Sequence, residues 1–269
     1  EANNQRPPMW LRINLARVSV ADYLKLLDAE GLSAVAHPHA AAALRLASAV
    51  DVSRLPGFSE GMVSVQDAAA QLAAPLLDIK HGERVLDLCA APGGKTCHIL
   101  EVTQNIDMTA VELQAARMQR VQQNLERLGL RASLVVGDAT DASAWWNSRP
   151  FDRILVDAPC SASGVLRRHP DIKSLRQPDD LDSLQEIQQQ ILQQAWRMLR
   201  PGGVLLYVTC SVFRRENQQQ IETLLSTTPT AEESVLEVSW GIACSYGRQL
   251  LPGESEGDGF YYARLKKHA

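Results

Sequence analysis

Twelve residues constrain the fold of this chain more than any others: Val85-Leu86-Asp87-Leu88-Cys89-Ala90-Ala91-Pro92-Gly93-Gly94-Lys95-Thr96. Apolar residues alternate behind Arg84, a run of small residues ends in Pro-Gly-Gly, and helix-compatible sequence follows. That order predicts a strand, a tight loop and a helix start. Open α/β sheets bind nucleotide-like ligands at such junctions, where backbone N–H groups and a helix N-terminus face the ligand.

The sequence downstream repeats the alternation. Strands are predicted at 84–88, 108–112, 133–136, 153–156 and 204–208, with a further candidate at 260–263. Between them, Met118, Val121, Leu125 and Leu128 fall at helical spacing before Gly129. Leu181, Leu184, Ile187, Ile191, Ala195 and Leu199 do the same before Pro201-Gly202-Gly203, and Ile221, Leu224 and Leu225 mark another helix. The pattern predicts a doubly wound, Rossmann-like α/β sheet that is mostly parallel. Right-handed crossovers place the strand C-termini on one edge. Residues 1–57 read as a small α+β module, accessory and RNA-binding, with a strand at 10–14, a helix at 21–30 and short apolar runs at 32–36 and 43–47. The boundary is set after Pro56-Gly57, so that 58–269 form the catalytic domain.

Composition narrows the class. The 269 residues suffice for one large domain and a small one. No apolar run reaches membrane-spanning length, and no secretory signal opens the chain. The five cysteines, Cys89, Cys97, Cys160, Cys210 and Cys244, are odd in number and form no CxxC pair. A disulfide framework and a structural metal site are therefore not expected, and the reducing cytoplasm is. Cys97 and Cys244 read as small buried hydrophobes, and Cys89 as a packing residue of the loop. The net charge of −4 argues mildly against nucleic acid, unless local basic clusters override it.

Four carboxylates fall at or near strand ends: Asp87, Glu112, Asp138 and Asp157. Any one could cap a helix or solvate a loop. Four in register with successive strands point to a ligand. Glu112 lies 19 positions after Gly93, close to the ~20 expected for an acid gripping ribose hydroxyls. The loop carries neither G-x-G-x-x-G nor a phosphate loop, which disfavours nicotinamide cofactors and ATP. S-adenosylmethionine fits better. Asp138 would read its adenine, Glu112 its ribose and Asp157 its amino group.

Cys160 and Cys210 occupy equivalent places, in Asp157-Ala158-Pro159-Cys160-Ser161 and Thr209-Cys210-Ser211, after strands expected to be neighbours. Two thiols at one site suit methylation at carbon 5 of a pyrimidine. That carbon becomes nucleophilic only after a thiolate adds at C6, and the thiol is expelled once the methyl is in place. A carboxyl group such as Asp157 near N3 would stabilise the adduct.

The stretches 87–96, 157–164 and 209–211 resemble the signature of RNA cytosine-C5 methyltransferases. Arg167-Arg168-His169-Pro170-Asp171 and Glu256-Gly257-Asp258-Gly259-Phe260 bring the chain nearest to the bacterial 16S rRNA branch, the RsmB/Fmu/Sun type. The likeness runs from about Pro8 to Lys266. It implies S-adenosylmethionine held by Cys89, Ala90, Ala91, Pro92, Gly93, Gly94 and Lys95 with Glu112, Asp138 and Asp157. It implies Cys210 as nucleophile and Cys160 as the thiol that assists product release. In DNA cytosine-C5 methyltransferases the cysteine after proline is the nucleophile, so Cys160 is the rival. The Thr-Cys-Ser motif favours Cys210. The resemblance also implies an N-terminal helical domain like the NusB antitermination factor, expected to be missing from a chain that opens Glu1-Ala2-Asn3-Asn4. Glu112 stands where Asp is common, and Arg214-Arg215-Glu216-Asn217 where Pro-Glu-Glu-Asn is more usual.

Arg167, Arg168, His169, Lys173 and Arg176 follow the Cys160 loop, Arg214 and Arg215 follow Cys210, and Arg12 and Arg17 lie in the N-terminal module. They are the expected phosphate contacts to 16S rRNA. The target base must leave its stack to reach a thiol. A monomer is expected. The alternatives are the same chemistry on tRNA or another RNA, or a non-catalytic RNA-binding assembly factor.

Overall fold

The computed structural model describes residues 2–268. Its N-terminal module consists of β1 (Trp10–Ile13), α1 (Val20–Ala29), β2 (Ala34–Ala36), β3 (Ala43–Leu46) and β4 (Val63–Val65). Ser19 caps α1 by accepting the Asp22 N–H. Tyr23 and Leu27, one turn apart, bury against Leu11, Ile13, Leu44 and Val63. The four strands form an antiparallel sheet in the order β2-β3-β1-β4. β4 lies beyond the boundary expected at 57, so the module's sheet continues into what reads as the second domain. Three residues are too few to show a strand's alternation in sequence.

Two short helices, α2 (Ala68–Gln71) and α3 (Ala73–Leu76), lead into the large sheet. There follow β5 (Arg84–Leu88), α4 (Gly94–Val102), β6 (Asp107–Glu112), α5 (Ala115–Leu128), β7 (Ser133–Val136), β8 (Phe151–Asp157), α6 (Ile172–Leu175), α7 (Pro178–Met198), β9 (Leu199–Thr209) and α8 (Gln218–Thr227). The chain ends with β10 (Ala231–Glu233), β11 (Ile242–Ala243), β12 (Arg248–Leu250) and β13 (Phe260–Lys267).

The sheet runs β11-β12-β13-β9-β8-β5-β6-β7, with β10 on β13. The five strands from β9 to β7 are parallel. Val85, Leu86, Asp87 and Leu88 are all buried, as a strand covered on both faces requires. Met118, Val121, Leu125 and Leu128 are the buried residues of α5, each contributing about 1.5–3 kcal/mol, and Gly129 at φ +67° ends the helix. β13 pairs antiparallel with β9, and β10, β11 and β12 extend this antiparallel wing. The 260–263 candidate is thus a longer strand running against the others. From β5 the chain winds outward through β6 to β7 and then returns to β8 on the other side of β5. The crevice at that reversal opens over the ends of β5 and β8, where such sheets bind ligands. No helix among the described residues is long and apolar enough to cross a membrane.

Candidate active site

The loop from Cys89 to Gly93 folds back on itself. Cys89 has φ +63°, Gly93 φ +96°, and the Ala91–Pro92 peptide is cis. Its amides are largely engaged: Ala90 N–H donates to Val111 O at 3.0 Å, Gly93 N–H to Ala90 O at 2.7 Å and Ala91 N–H to Glu112 Oε2 at 3.3 Å. These three amides are therefore already engaged within the protein. The glycines serve protein packing: a Cβ on Gly93 would stand 3.1 Å from Val121, and one on Gly94 3.2 Å from the Gln66 amide.

Carboxylates surround this loop. Asp87 is fully buried, accepts from the Thr96 hydroxyl, and has one oxygen without a partner; burial pushes its pKa up to about 7. Glu112, 2 % exposed at the end of β6, also accepts from Gln114 N–H at 3.2 Å and Arg117 at 3.3 Å. Asp138 is exposed and caps its own loop through one oxygen, which accepts from Thr140 N–H and Oγ1. Lys95 reaches across the crevice to Asp157, Nζ to Oδ2 2.6 Å. Burial, the largest single effect, disfavours its ammonium, but the charge and hydrogen bond of Asp157, with smaller effects from neighbours including Asp87, together hold the Lys95 pKa above its usual value. A loop ringed by acids, with Glu112 and Asp87 buried beside it, suits the positively charged S-adenosylmethionine better than a nucleoside polyphosphate. Among the described residues no group of His, Cys, Asp and Glu is arranged to hold a metal.

β8 and β9 lie side by side, Asp157 opposite Val208, and each leads into a thiol loop. Cys160 and Cys210 stand 3.5 Å apart, sulfur to sulfur, as free thiols. The hydrogen bond to Cys210 and burial, with Cys210 and Glu216 close by, push the Cys160 thiol pKa well up. The loops are held together by Glu216, which is fully buried. It accepts from Ser161 N–H at 2.7 Å, Ser161 Oγ at 2.6 Å, Gln188 at 3.2 Å and the Ser211 hydroxyl. Asn217 donates to Ser211 O at 2.9 Å and accepts from the Thr209 hydroxyl. Gly164 donates to Cys210 O, and a Cβ on it would collide with Gly259 O at 2.1 Å. Sequence reasoning kept Glu216 and Asn217 as part of a motif but gave them no role. The available signal was a serine after each thiol, two donors in need of one acceptor.

The basic residues divide. Arg12 is 1 % exposed and makes two bonds to Glu101, at 2.9 and 2.8 Å, plus one to Gly94 O at 2.7 Å. Arg167 is buried on Asp258 at 2.6 Å, and Arg168 pairs with both Asp258 and Asp67. These three were expected at RNA phosphates. The structure corrects that: each guanidinium is engaged by an acid distant in sequence. Arg17 likewise donates to Glu60 O and Leu128 O. His169, Lys173, Arg176, Arg214 and Arg215 remain exposed, with Arg215 paired to Asp182 and Lys173 bonded to Asn4.

The family described as 16S rRNA methyltransferase RsmB/F matches residues 74–266, and the ferredoxin-like domain of RsmF/B-type methyltransferases matches residues 1–53. Ribosomal RNA small subunit methyltransferase B of Pseudomonas putida is 51 % identical over 100 % of this chain, which covers 62 % of that protein. The enzyme of the same name from Cronobacter sakazakii is 51 % identical over 99 % of this chain and is covered to 61 %. The chain thus spans about three fifths of the length of these relatives. A solved methyltransferase homologue from Pyrococcus horikoshii superposes with a TM-score of 0.87 at 29 % identity, covering 99 % of this chain and 88 % of that one.

Proposed function

This chain belongs to the 16S rRNA methyltransferase RsmB/F family, and on that premise we propose that it methylates carbon 5 of a cytosine in 16S rRNA through a covalent thiol adduct. The observation that carries the reading is the thiol pair 3.5 Å apart at the ends of adjacent strands, beside the Lys95–Asp157 pair. When bound, S-adenosylmethionine supplies an electrophilic methyl group. The chain's own residues do the rest. Cys89 to Lys95, Glu112 and Asp138 hold the donor. The Cys210 thiolate adds to C6 of the base, and its electron pair becomes the C6–S bond. C5 then carries the nucleophilic pair that takes the methyl. A base removes the C5 proton, the C5=C6 bond re-forms and the C6–S bond breaks.

Asp157 has one oxygen on Lys95; as thiolate addition drives electron density onto N3 and N3 takes a proton, the other oxygen is available to accept from that N3–H and so stabilise the adduct. The assignment of Cys210 as nucleophile rests on the Thr-Cys-Ser motif, and Cys160, 3.5 Å away, is placed to serve in product release. Exposed His169, Lys173, Arg214 and Arg215 meet the RNA backbone. Such a substrate places the reaction in the cytoplasm.

The test is trapping with 5-fluorocytosine-substituted RNA, whose C5 carries no removable proton. A covalent protein–RNA adduct is expected with the wild type and none with Cys210→Ala. An adduct retained by Cys210→Ala and lost in Cys160→Ala would reverse the assignment. Running 16S rRNA and tRNA in parallel identifies the substrate class.

A further inference from the structure

A cavity of about 330 Å³ lies against the Cys160 loop, lined by Ser161, Ser163, Ile172, Phe213, Lys173 and Arg176 among others. Neither thiol lines it, so it is not the seat of the base being methylated. Yet both thiol loops build it: Ser161 directly follows Cys160, and Phe213 lies three residues after Cys210. Arg176 donates towards the carbonyls of Ser161 at 3.3 Å and Cys160 at 3.4 Å, which fixes the cavity on the backbone side of that loop.

Its chemistry is specific in kind. Most of the lining surface is apolar, with Leu166, Ile172 and Leu181 beside one aromatic ring, Phe213, 42 % exposed. The Ser161 and Ser163 hydroxyls are bonded to each other, to Ser211 and, for Ser161, to Glu216. They have little left to offer a ligand's edge. Two cations stand on the lining, Lys173 and Arg176, and Arg214 follows Phe213 in sequence. A flat apolar ring carrying a negative group one bond system away fits this combination: a nucleobase with its phosphate.

Resting on the function proposed above, we propose that this pocket takes the base of a nucleotide flanking the target cytosine. That base leaves the RNA stack together with the target and packs on Phe213, while Lys173 and Arg176 meet its phosphate. Because the hydroxyls are already engaged, the pocket recognises a stacked ring and not a base identity. It therefore contributes affinity and distortion, and tolerates any base.

The experiment uses this chain and a 16S rRNA fragment in which the methylated cytosine has been mapped. 5-Iodouridine is placed at each flanking position in turn, and the irradiated complex is digested and sequenced by mass spectrometry. A cross-link to Phe213 from one flanking position is expected. An abasic nucleotide at that position, or Phe213→Ala, should raise KM about tenfold at little changed kcat, and Phe213→Trp should restore it. The four natural bases there should give KM values within about threefold of one another, since stacking tolerates any base. Methylation that proceeds with no cross-link from either flank and with unaltered KM in Phe213→Ala would overturn the pocket. An RNA neither methylated nor trapped would overturn the enzyme reading, and the pocket with it.

Discussion

Glu216 shows what a single side chain does here. Its carboxylate accepts donors from both thiol loops and from α7, and so sets where Cys160 and Cys210 stand. An acid fully buried among donors is stable only because each lone pair is met. Glu216→Gln replaces one accepting oxygen with an NH2 group facing donors. The expected loss is about 1–3 kcal/mol of stability, measured as a lower denaturation midpoint. It also removes one of the charges that raise the Cys160 thiol, after the Cys210 hydrogen bond and burial. The sign follows: without a neighbouring negative charge the thiolate is less disfavoured, so alkylation of Cys160 should begin at lower pH in Glu216→Gln. An unshifted alkylation profile would remove Glu216 from the electrostatics of the site. The sequence shows that a glutamate stands at this position. It does not show that Ser161, 55 positions away, points at it.

At the scale of elements, α4 and β1 are joined by the Arg12–Glu101 pair, with side chains 1 % and 2 % exposed. Breaking such a pair leaves an uncompensated buried charge. Arg12→Ala should therefore cost about 3–5 kcal/mol in thermal or urea denaturation, with no change in the salt dependence of RNA binding. Exposed Arg214 should behave in the opposite way. Arg214→Ala is expected to lower the slope of log K against log salt by about one, at unchanged stability. If the two variants exchanged behaviours, the division of basic residues into structural and RNA-facing sets would be wrong. α5 was the most legible element, because its apolar period is local; the α7 stripe was read less well, since Ile187 is 37 % exposed and Leu199 begins β9. The antiparallel wing was not legible. Alternation reveals a strand but not its direction, and β10, β11 and β12 are each two or three residues long.

For the whole molecule, the N-terminal module and the large sheet share structure. β4 belongs to the module's sheet although it follows the boundary at 57, and Arg12 of β1 bonds to the carbonyl of Gly94 at the start of α4. Residues 58–269 alone would leave β4 without its partner β1, and Glu101 without its cation. That fragment is expected to lack the cooperative thermal transition of the full chain and to be cut rapidly in limited proteolysis. A fragment that melts like the full chain would mean that the module is independent.

The sequence by itself determined what depends on neighbouring residues: the strand–loop–helix junction at 85–96, the helical stripes, the acids at strand ends and the two thiols after adjacent strands. Each is carried by a period or a short motif, so it can be read without knowing where the chain goes next. Only the tertiary structure decided which charges are free. Arg12 meets Glu101 across 89 positions and Arg167 meets Asp258 across 91, and nothing local distinguishes them from Arg214. A buried guanidinium requires an acid brought to it by the fold. Whether an arginine holds the protein together or stays exposed is therefore settled by packing, after the chain has folded.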